Sequence, residues 1–330
     1  MTKVYILGGS GFVGTSLLKK VKGDPNIEAF CADITESTVT NKNLKVDVED
    51  YQSLNLISDA DVIINLAAVH RDDIKPISKY DDVNVNGARN ICKIARENRI
   101  NNIIFTSSVA IYGFAPPNTD ENGEANYFND YGRTKYLAEE VFKEWYEEDT
   151  ANRSLTIIRP TVIFGKGNRG NVYNLLNQVA SKRFIMFGNG KNIKSMAYVE
   201  NVSAFINFCL NNQKGLKIYN YIDKPDLCMN DLISISRNIL FKKNNVGIRL
   251  PYYLGILIGY FADFINFFVK NNLPISSIRV KKFLSTTQFD SSVHNNTGFI
   301  APYSLKKALE ETIEYEFLND NSDKPKFFTE

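Results

Sequence analysis

Short, nearly unbroken apolar runs alternate along the chain with longer stretches in which apolar residues recur every three or four positions. The runs are "KVYIL" (3–7), "IEAFCAD" (27–33), "DVIINLAA" (61–68), "NIIFTSS" (102–108) and "SLTIIRP" (154–160). Runs of this length suit strands buried on both faces, and the stretches 81–98 and 131–148 suit helices between them. Such alternation predicts an α/β fold, a doubly wound parallel sheet covered on both sides. After Pro160 it weakens, and glycine and asparagine thicken around 165–174 and 188–192. Residues 1–160 are therefore expected to form the sheet domain. Residues 161–330 form a smaller C-terminal region, with some segments returning to the sheet. The tail "NDNSDKPKFFTE" reads as frayed apart from Phe327 and Phe328.

One stretch breaks the pattern. "PYYLGILIGYFADFINFFV" (251–269) is apolar throughout and carries a single formal charge, Asp263. A spanning helix needs about 20 apolar residues, so the length, the two internal glycines and Asp263 all argue against a span. A buried core helix or a helix lying in a membrane interface remains. Tyr252, Tyr253, Tyr260, Phe261, Phe264, Phe267 and Phe268 suit the headgroup boundary, with Lys270, Arg279, Lys281 and Lys282 placed to meet an anionic membrane surface.

Composition narrows the class. The 330 residues are 44% hydrophobic and 23% charged, which is globular, and a net charge of +2 offers no field for nucleic acid. Four cysteines stand far apart with no CxxC pair, and read as buried thiols in a reducing compartment. Two histidines, His70 and His294, are too few for a histidine metal site or a Ser-His-Asp triad, so no metal is expected. The chain opens directly on a strand pattern, which argues against an export signal.

Candidate chemistry begins at "GGSGFVG", where Gly8, Gly11 and Gly14 lie between the first strand and the first helix. Glycines there permit a tight turn and bring backbone N–H groups to a pyrophosphate at the helix N-terminus. Ser10, Phe12 and Val13 belong to the same turn. Asp33 closes the second strand 19 residues after Gly14, where a carboxylate accepts hydrogen bonds from ribose hydroxyls and repels a 2′-phosphate. No arginine follows in "DITEST", which favours NAD over NADP.

"YGRTK" sets Tyr131 and Lys135 four residues apart, one helical turn along a single face. An ammonium beside a phenol lowers the phenol pKa, as a general base for an alcohol requires. "FTSSVAIYG" places Ser107 and Ser108 at the carboxyl end of a strand, where parallel α/β sheets present functional groups.

The glycine turn, the serine-bearing strand end and YxxxK occur in that order. Together they resemble the extended short-chain dehydrogenase/reductase superfamily, the nucleotide-sugar epimerases and dehydratases, over essentially the whole chain. The resemblance implies a Rossmann fold binding NAD, with Ser108, Tyr131 and Lys135 catalytic. It also implies Asp47 and Val48 beside the adenine, and Leu66, Ala67 and Ala68 running along the cofactor. Tyr131 would take the proton of a sugar hydroxyl, Ser108 would hold the reacting oxygen, and Lys135 would hold the nicotinamide ribose.

On the substrate side, Arg169, Asn171 and Lys194 are candidates to bind a diphosphate. Many relatives carry asparagine three residues after the arginine of "IRP"; here that position is Val162. "AAVHRDD", "NRGNVYNLL", "KSMAYVENV" and "VKKFLSTTQFDSS" resemble a narrower group. These are bacterial 4-epimerases that interconvert N-acetylglucosamine and N-acetylgalactosamine on undecaprenyl diphosphate for surface-polysaccharide synthesis, through a transient 4-keto sugar. The resemblance implies a lipid-diphosphate-linked (or nucleotide-linked) amino sugar as substrate, and a peripheral site on the cytoplasmic face of the inner membrane. A homodimer is compatible with it. The alternatives are a soluble UDP-sugar 4-epimerase, a 4-keto-sugar reductase, or a hydroxysteroid-type dehydrogenase with a greasy C-terminal region. A non-catalytic NAD-binding regulator is disfavoured by Ser108, Tyr131 and Lys135 occurring together.

Overall fold

The computed structural model describes residues 1–71, 74–211, 214–269, 280 and 284–328. Its centre is a seven-stranded sheet whose six pairings are all parallel. The strands are β1 (Thr2–Leu7), β2 (Ile27–Asp33), β3 (Asn43–Lys45), β4 (Val62–Asn65), β5 (Asn102–Thr106), β6 (Ser154–Pro160) and, far along the chain, β11 (Gly215–Tyr221). Their order is β11-β6-β5-β4-β1-β2-β3, so the winding reverses between β1 and β4. At such a switch point the crevice beyond the strands' carboxyl ends opens to a ligand.

The unbroken apolar runs follow from burial on both faces. Along β1, Val4 and Ile6 enter one core while Tyr5 and Leu7 enter the other. On the Val4 face pack α1 (Phe12–Val21) and α6 (Val199–Leu210), through Leu17, Leu18, Val202 and Phe205. On the Tyr5 face pack α3 (Gly87–Asn98) and α4 (Asp130–Glu147), through Ile91, Phe142 and Trp145. The helix expected over 81–98 is one continuous rod of three parts: α2 (Ser78–Tyr80), a π-helical turn at Asp81–Asn86, and α3. The wide turn presents Asn84, whose Oδ1 accepts from Val69 N at 2.8 Å while Nδ2 donates to Thr134 Oγ1 at 2.9 Å. That pins the loop after β4 to α4.

Beyond Pro160 a third core gathers Phe164, Leu176, Met186, Tyr198, Leu232 and Leu309. It is built from α5 (Asn171–Ala180), α7 (Met229–Phe241), a C-terminal helix (Leu305–Ile313) and three two-stranded pairs. These pairs are β7 (Val162–Phe164) with β10 (Met196–Tyr198), β8 (Met186–Phe187) with β13 (Arg249–Leu250), and β9 (Ile193–Lys194) with β12 (Leu227–Cys228). Residues 165–174 open this region, and β11 carries the chain back to the sheet edge beside β6.

The apolar stretch forms α8 (Tyr252–Val269), seated on β8, where a Cβ on Gly255 would lie 2.9 Å from the Phe187 ring. It is not a core helix: Tyr253, Leu257, Phe261 and Phe264 are each about 60% exposed (63, 59, 65 and 61%). Among the described residues no helix is long and apolar enough to cross a membrane. Lys270, Arg279, Lys281 and Lys282, and the side chains of Phe267 and Phe268, lie outside the described residues.

Candidate active site

At the switch point the glycine turn is shaped by contacts that exclude a side chain. Gly8 has φ +75°, and a Cβ there would stand 2.7 Å from Ala67 N; one on Gly14 would stand 2.4 Å from Gly8 O. The turn can therefore lie against the end of β4, and α1 can start directly upon it. Gly11 caps α1 with no side-chain bond, so the first N–H groups of the helix face the crevice unblocked by a cap. Ser10 ties the turn to β2: its N–H donates to Asp33 Oδ2 at 3.0 Å, and its hydroxyl meets Thr35 Oγ1 at 2.6 Å.

Leu66, Ala67 and Ala68 run along the neighbouring strand end, with Leu66 N donating to Leu7 O at 2.9 Å. Asp47 and Val48 follow β3. Val48 is buried, its carbonyl accepts from Asn90 at 2.9 Å, and Gly87 leaves room for its side chain. Two buried hydroxyls at the end of β5, Thr106 Oγ1 and Ser107 Oγ, have no partner among the described residues. The bare cradle, the Asp33 carboxylate and these orphaned hydroxyls fit a dinucleotide lying across the carboxyl edge.

Ser108 leaves β5 in extended conformation and caps the short 3₁₀ turn Val109–Tyr112, its Oγ accepting from Ala110 N at 3.1 Å. The start of α4 is brought against this turn. Asn129 Oδ1 caps α4 by accepting from Gly132 N at 2.9 Å, and a Cβ on Gly132 would meet Ala110 O at 2.5 Å. The close approach lets the Tyr131 and Ser108 side chains share a hydrogen bond.

One turn on, Lys135 is buried, its Nζ 4.4 Å from the Phe105 ring centroid. Burial pushes it down to about 7, opposed by Glu139 below it. Tyr131 does not carry the lowered pKa that the Tyr–Lys spacing suggests. Burial raises it, and the Ser108 hydrogen bond pulls it back only in part. Desolvation is the larger of the two causes, and the Lys135 ammonium, set over Phe105, is not among them.

Beneath Lys135 lies a network that spacing alone does not announce. Arg159 makes a bidentate pair with Glu139 (Nε–Oε1 2.9 Å, Nη2–Oε2 2.6 Å) and donates to Tyr112 Oη at 2.7 Å. Tyr112 then donates to Asn220 Oδ1 on β11 at 2.9 Å, joining the catalytic helix to the sheet edge. The readable signals were Glu139 four residues after Lys135 and the arginine of "IRP". His70, another residue sequence reasoning passed over, sits on the loop after Ala68. Burial lowers its pKa, and the charges of Lys135 and Arg71 add to the effect.

The three diphosphate candidates lie on a loop, at the start of α5 and on β9. Arg169 forms an ion pair with Glu316 at 2.9 Å and lies 4.1 Å over the Tyr173 ring. Asn171 opens α5, whose cap Gly170 offers no side chain. Lys194, on β9, donates to Ser285 O at 2.7 Å, and burial pushes it down to about 8. Val162 is 38% exposed at the start of β7.

Comparison with known proteins agrees with this arrangement. Residues 4–221 match the model of the family described as "NAD dependent epimerase/dehydratase family". The chain is 47% identical over 330 residues to N-acetyl-alpha-D-glucosaminyl-diphospho-ditrans,octacis-undecaprenol 4-epimerase of Escherichia coli O157:H7, covering 99% of each chain. Among solved structures, MoeE5 in complex with UDP-glucose and NAD superposes with a TM-score of 0.74 at 16% identity, over 95% of this chain and 98% of that one. UDP-glucuronic acid 4-epimerase from Bacillus cereus, in complex with NAD, gives 0.72 at 17% identity, over the same shares of the two chains (95% and 98%). At those identities the likeness is one of fold.

Proposed function

Because the chain belongs to the NAD-dependent epimerase/dehydratase family, we propose that it is a sugar 4-epimerase that interconverts N-acetylglucosamine and N-acetylgalactosamine on undecaprenyl diphosphate. The observation that carries this reading is the 47% identity, end to end, with the Escherichia coli O157:H7 enzyme of that name. Its cofactor is NAD. The glycine turn with Ser10, Phe12 and Val13, and Asp33, Asp47, Val48 and Leu66–Ala68, would hold it. Once bound, it would supply a reversible hydride acceptor.

The chain's own groups do the rest. Tyr131 accepts the proton of the 4-hydroxyl, and Ser108 turns its hydroxyl to donate to the reacting oxygen. Lys135 supplies positive charge one turn away, which favours the phenolate. After the 4-keto sugar turns over in the site, so that the hydride would return to the opposite face of C4, Tyr131 gives its proton back to the reacting oxygen. The buried Glu139–Arg159 pair holds the α4 face that carries Tyr131 and Lys135. Arg169, Asn171 and Lys194 remain proposed diphosphate contacts, Arg169 by exchanging Glu316 for a phosphate.

The exposed aromatic side of α8 supports a lipid-borne substrate. It would seat the enzyme peripherally against an anionic membrane at its cytoplasmic face, where the polyprenyl chain lies. Purified protein incubated without reductant with N-acetylglucosaminyl-diphospho-undecaprenol, or with UDP-N-acetylglucosamine, tests the carrier. Conversion of the lipid-linked sugar is expected. Conversion of the UDP form alone would assign a soluble nucleotide-sugar epimerase instead, and a requirement for stoichiometric NADPH would assign a reductase.

A further inference from the structure

The C-terminal tail is fastened to the loop that borders the glycine turn. That loop, Gly165 to Gly170, bends through Gly165 (φ +154°) and Gly167 (φ +85°). A Cβ on Gly165 would lie 3.4 Å from the Phe12 ring, so the loop abuts the first residue of α1. The tail grips the loop from outside. Phe327 N donates to Gly167 O and Arg169 N donates to Phe327 O, both at 2.8 Å. Gly167 N donates to Glu316 Oε1 at 2.6 Å, Arg169 pairs with Glu316 Oε2 at 2.9 Å, and Lys166 pairs with Glu311 at 2.6 Å. The Phe327 ring closes the arrangement, its centroid 5.6 Å from that of Phe12.

We propose that Phe327 is a positioning residue: the tail is a strap that locks the Gly165–Gly170 loop onto Phe12 and so slows escape of the bound cofactor. The inference rests on family membership and on Phe12 opening the helix at the dinucleotide turn, and is independent of which carrier holds the sugar. An epimerase must return the hydride to the same sugar, so a cofactor that escaped in mid-reaction would strand the oxidised product. Two ion pairs and three backbone-amide hydrogen bonds fall on six loop residues, with the Phe12–Phe327 pair beside them, more restraint than a loop ordinarily carries. Phe12 carries that restraint to the glycine turn.

The test is exchange of labelled NAD from loaded, full-length protein into excess unlabelled NAD, with no sugar present. Phe327→Ala should release NAD about tenfold faster, the factor expected for loss of one aromatic pair. Phe327→Tyr should restore slow release, and Phe328→Ala, at an exposed neighbour (63%), should behave as the parent. Phe327→Leu keeps the backbone bonds and the apolar bulk, and should give intermediate release if the alanine variant does not fold. Release from folded Phe327→Ala or Phe327→Leu within twofold of the parent would overturn the proposal, as would equal acceleration in Phe328→Ala.

Discussion

Replacing Glu139 with glutamine keeps the shape of the side chain and removes its charge, which exposes how much the buried pair beneath Lys135 contributes. Glu139 is fully buried and Arg159 is 5% exposed, so the guanidinium would be left without a counter-charge in a site closed to water. Breaking one partner of such a pair costs about 3–5 kcal/mol. Arg159 keeps its hydrogen bonds to Tyr112 Oη and Glu121 O, which places this case near the lower limit, about 3 kcal/mol. A chain of 330 residues unfolds with an entropy near 0.7 kcal/mol per kelvin, so the thermal midpoint should fall by about 4 °C. The variant should also change the pH profile. Glu139 raises the Lys135 pKa against the lowering by burial, so its loss sends Lys135 further below about 7, and turnover should fail at a lower pH on the alkaline side. Scanning calorimetry and kcat/KM from pH 6 to 9 read both effects. The double variant Glu139→Leu, Arg159→Met should recover most of the stability and none of the pH profile. A midpoint within 1 °C of the parent with an unchanged profile would refute the reasoning.

Three further outcomes follow from the same geometry. Lys135 (about 7) and Lys194 (about 8) hold fewer protons folded than unfolded; stability should therefore rise with pH through 7 and 8, by on the order of 1 kcal/mol. Above the ordinary thiol range the trend should reverse, because burial raises Cys31, Cys92 and Cys209 and the folded chain keeps protons that unfolded thiols release; a midpoint falling steadily from pH 7 would contradict this. Gly14→Ala sets a methyl 2.4 Å from Gly8 O and 2.6 Å from Gly9 Cα, backbone atoms that cannot yield, so NAD binding measured by calorimetry should weaken more than tenfold, and near-parental affinity would disprove the cradle. Changing Tyr253, Leu257 and Phe261 to serine should cut cosedimentation with anionic vesicles at least tenfold while leaving the thermal midpoint within about 2 °C, and unchanged sedimentation would remove α8 from the account.

What the chain discloses in advance depends on how local the physics is. The alternation of apolar runs identifies the strands because both faces of a parallel sheet are buried, and the glycine spacing identifies the turn because the steric demand there is met within seven residues. Ser108 and Tyr131 are separated by 23 positions, yet each is marked by its own neighbours, a strand end and a helical turn. The return of β11 to the sheet edge, more than 50 residues after β6, was anticipated only in outline, since nothing local distinguishes that strand from others in the C-terminal half. Spacing shows that Lys135 is near Tyr131 but not that Tyr131 is buried deeply enough to raise its pKa, nor that the Lys135 Nζ lies over Phe105. Arg169 and Glu316 meet across 147 residues, and the frayed-looking tail becomes ordered at Phe327 through contacts no sequence pattern encodes. For α8 composition alone left burial open beside an interfacial segment, and the exposed faces of Leu257 and Phe261 decide against burial.

The central claim is that one site removes and restores the hydrogen at C4 of a lipid-linked amino sugar without net redox change. The direct measurement uses N-acetylglucosaminyl-diphospho-undecaprenol deuterated at C4, with the protein, catalytic NAD and no reductant, followed by mass spectrometry of the released sugar. The account predicts lipid-linked N-acetylgalactosamine with deuterium retained at C4, and no such product from Tyr131→Phe that still binds NAD. Loss of the deuterium, or undiminished turnover by Tyr131→Phe, would contradict it.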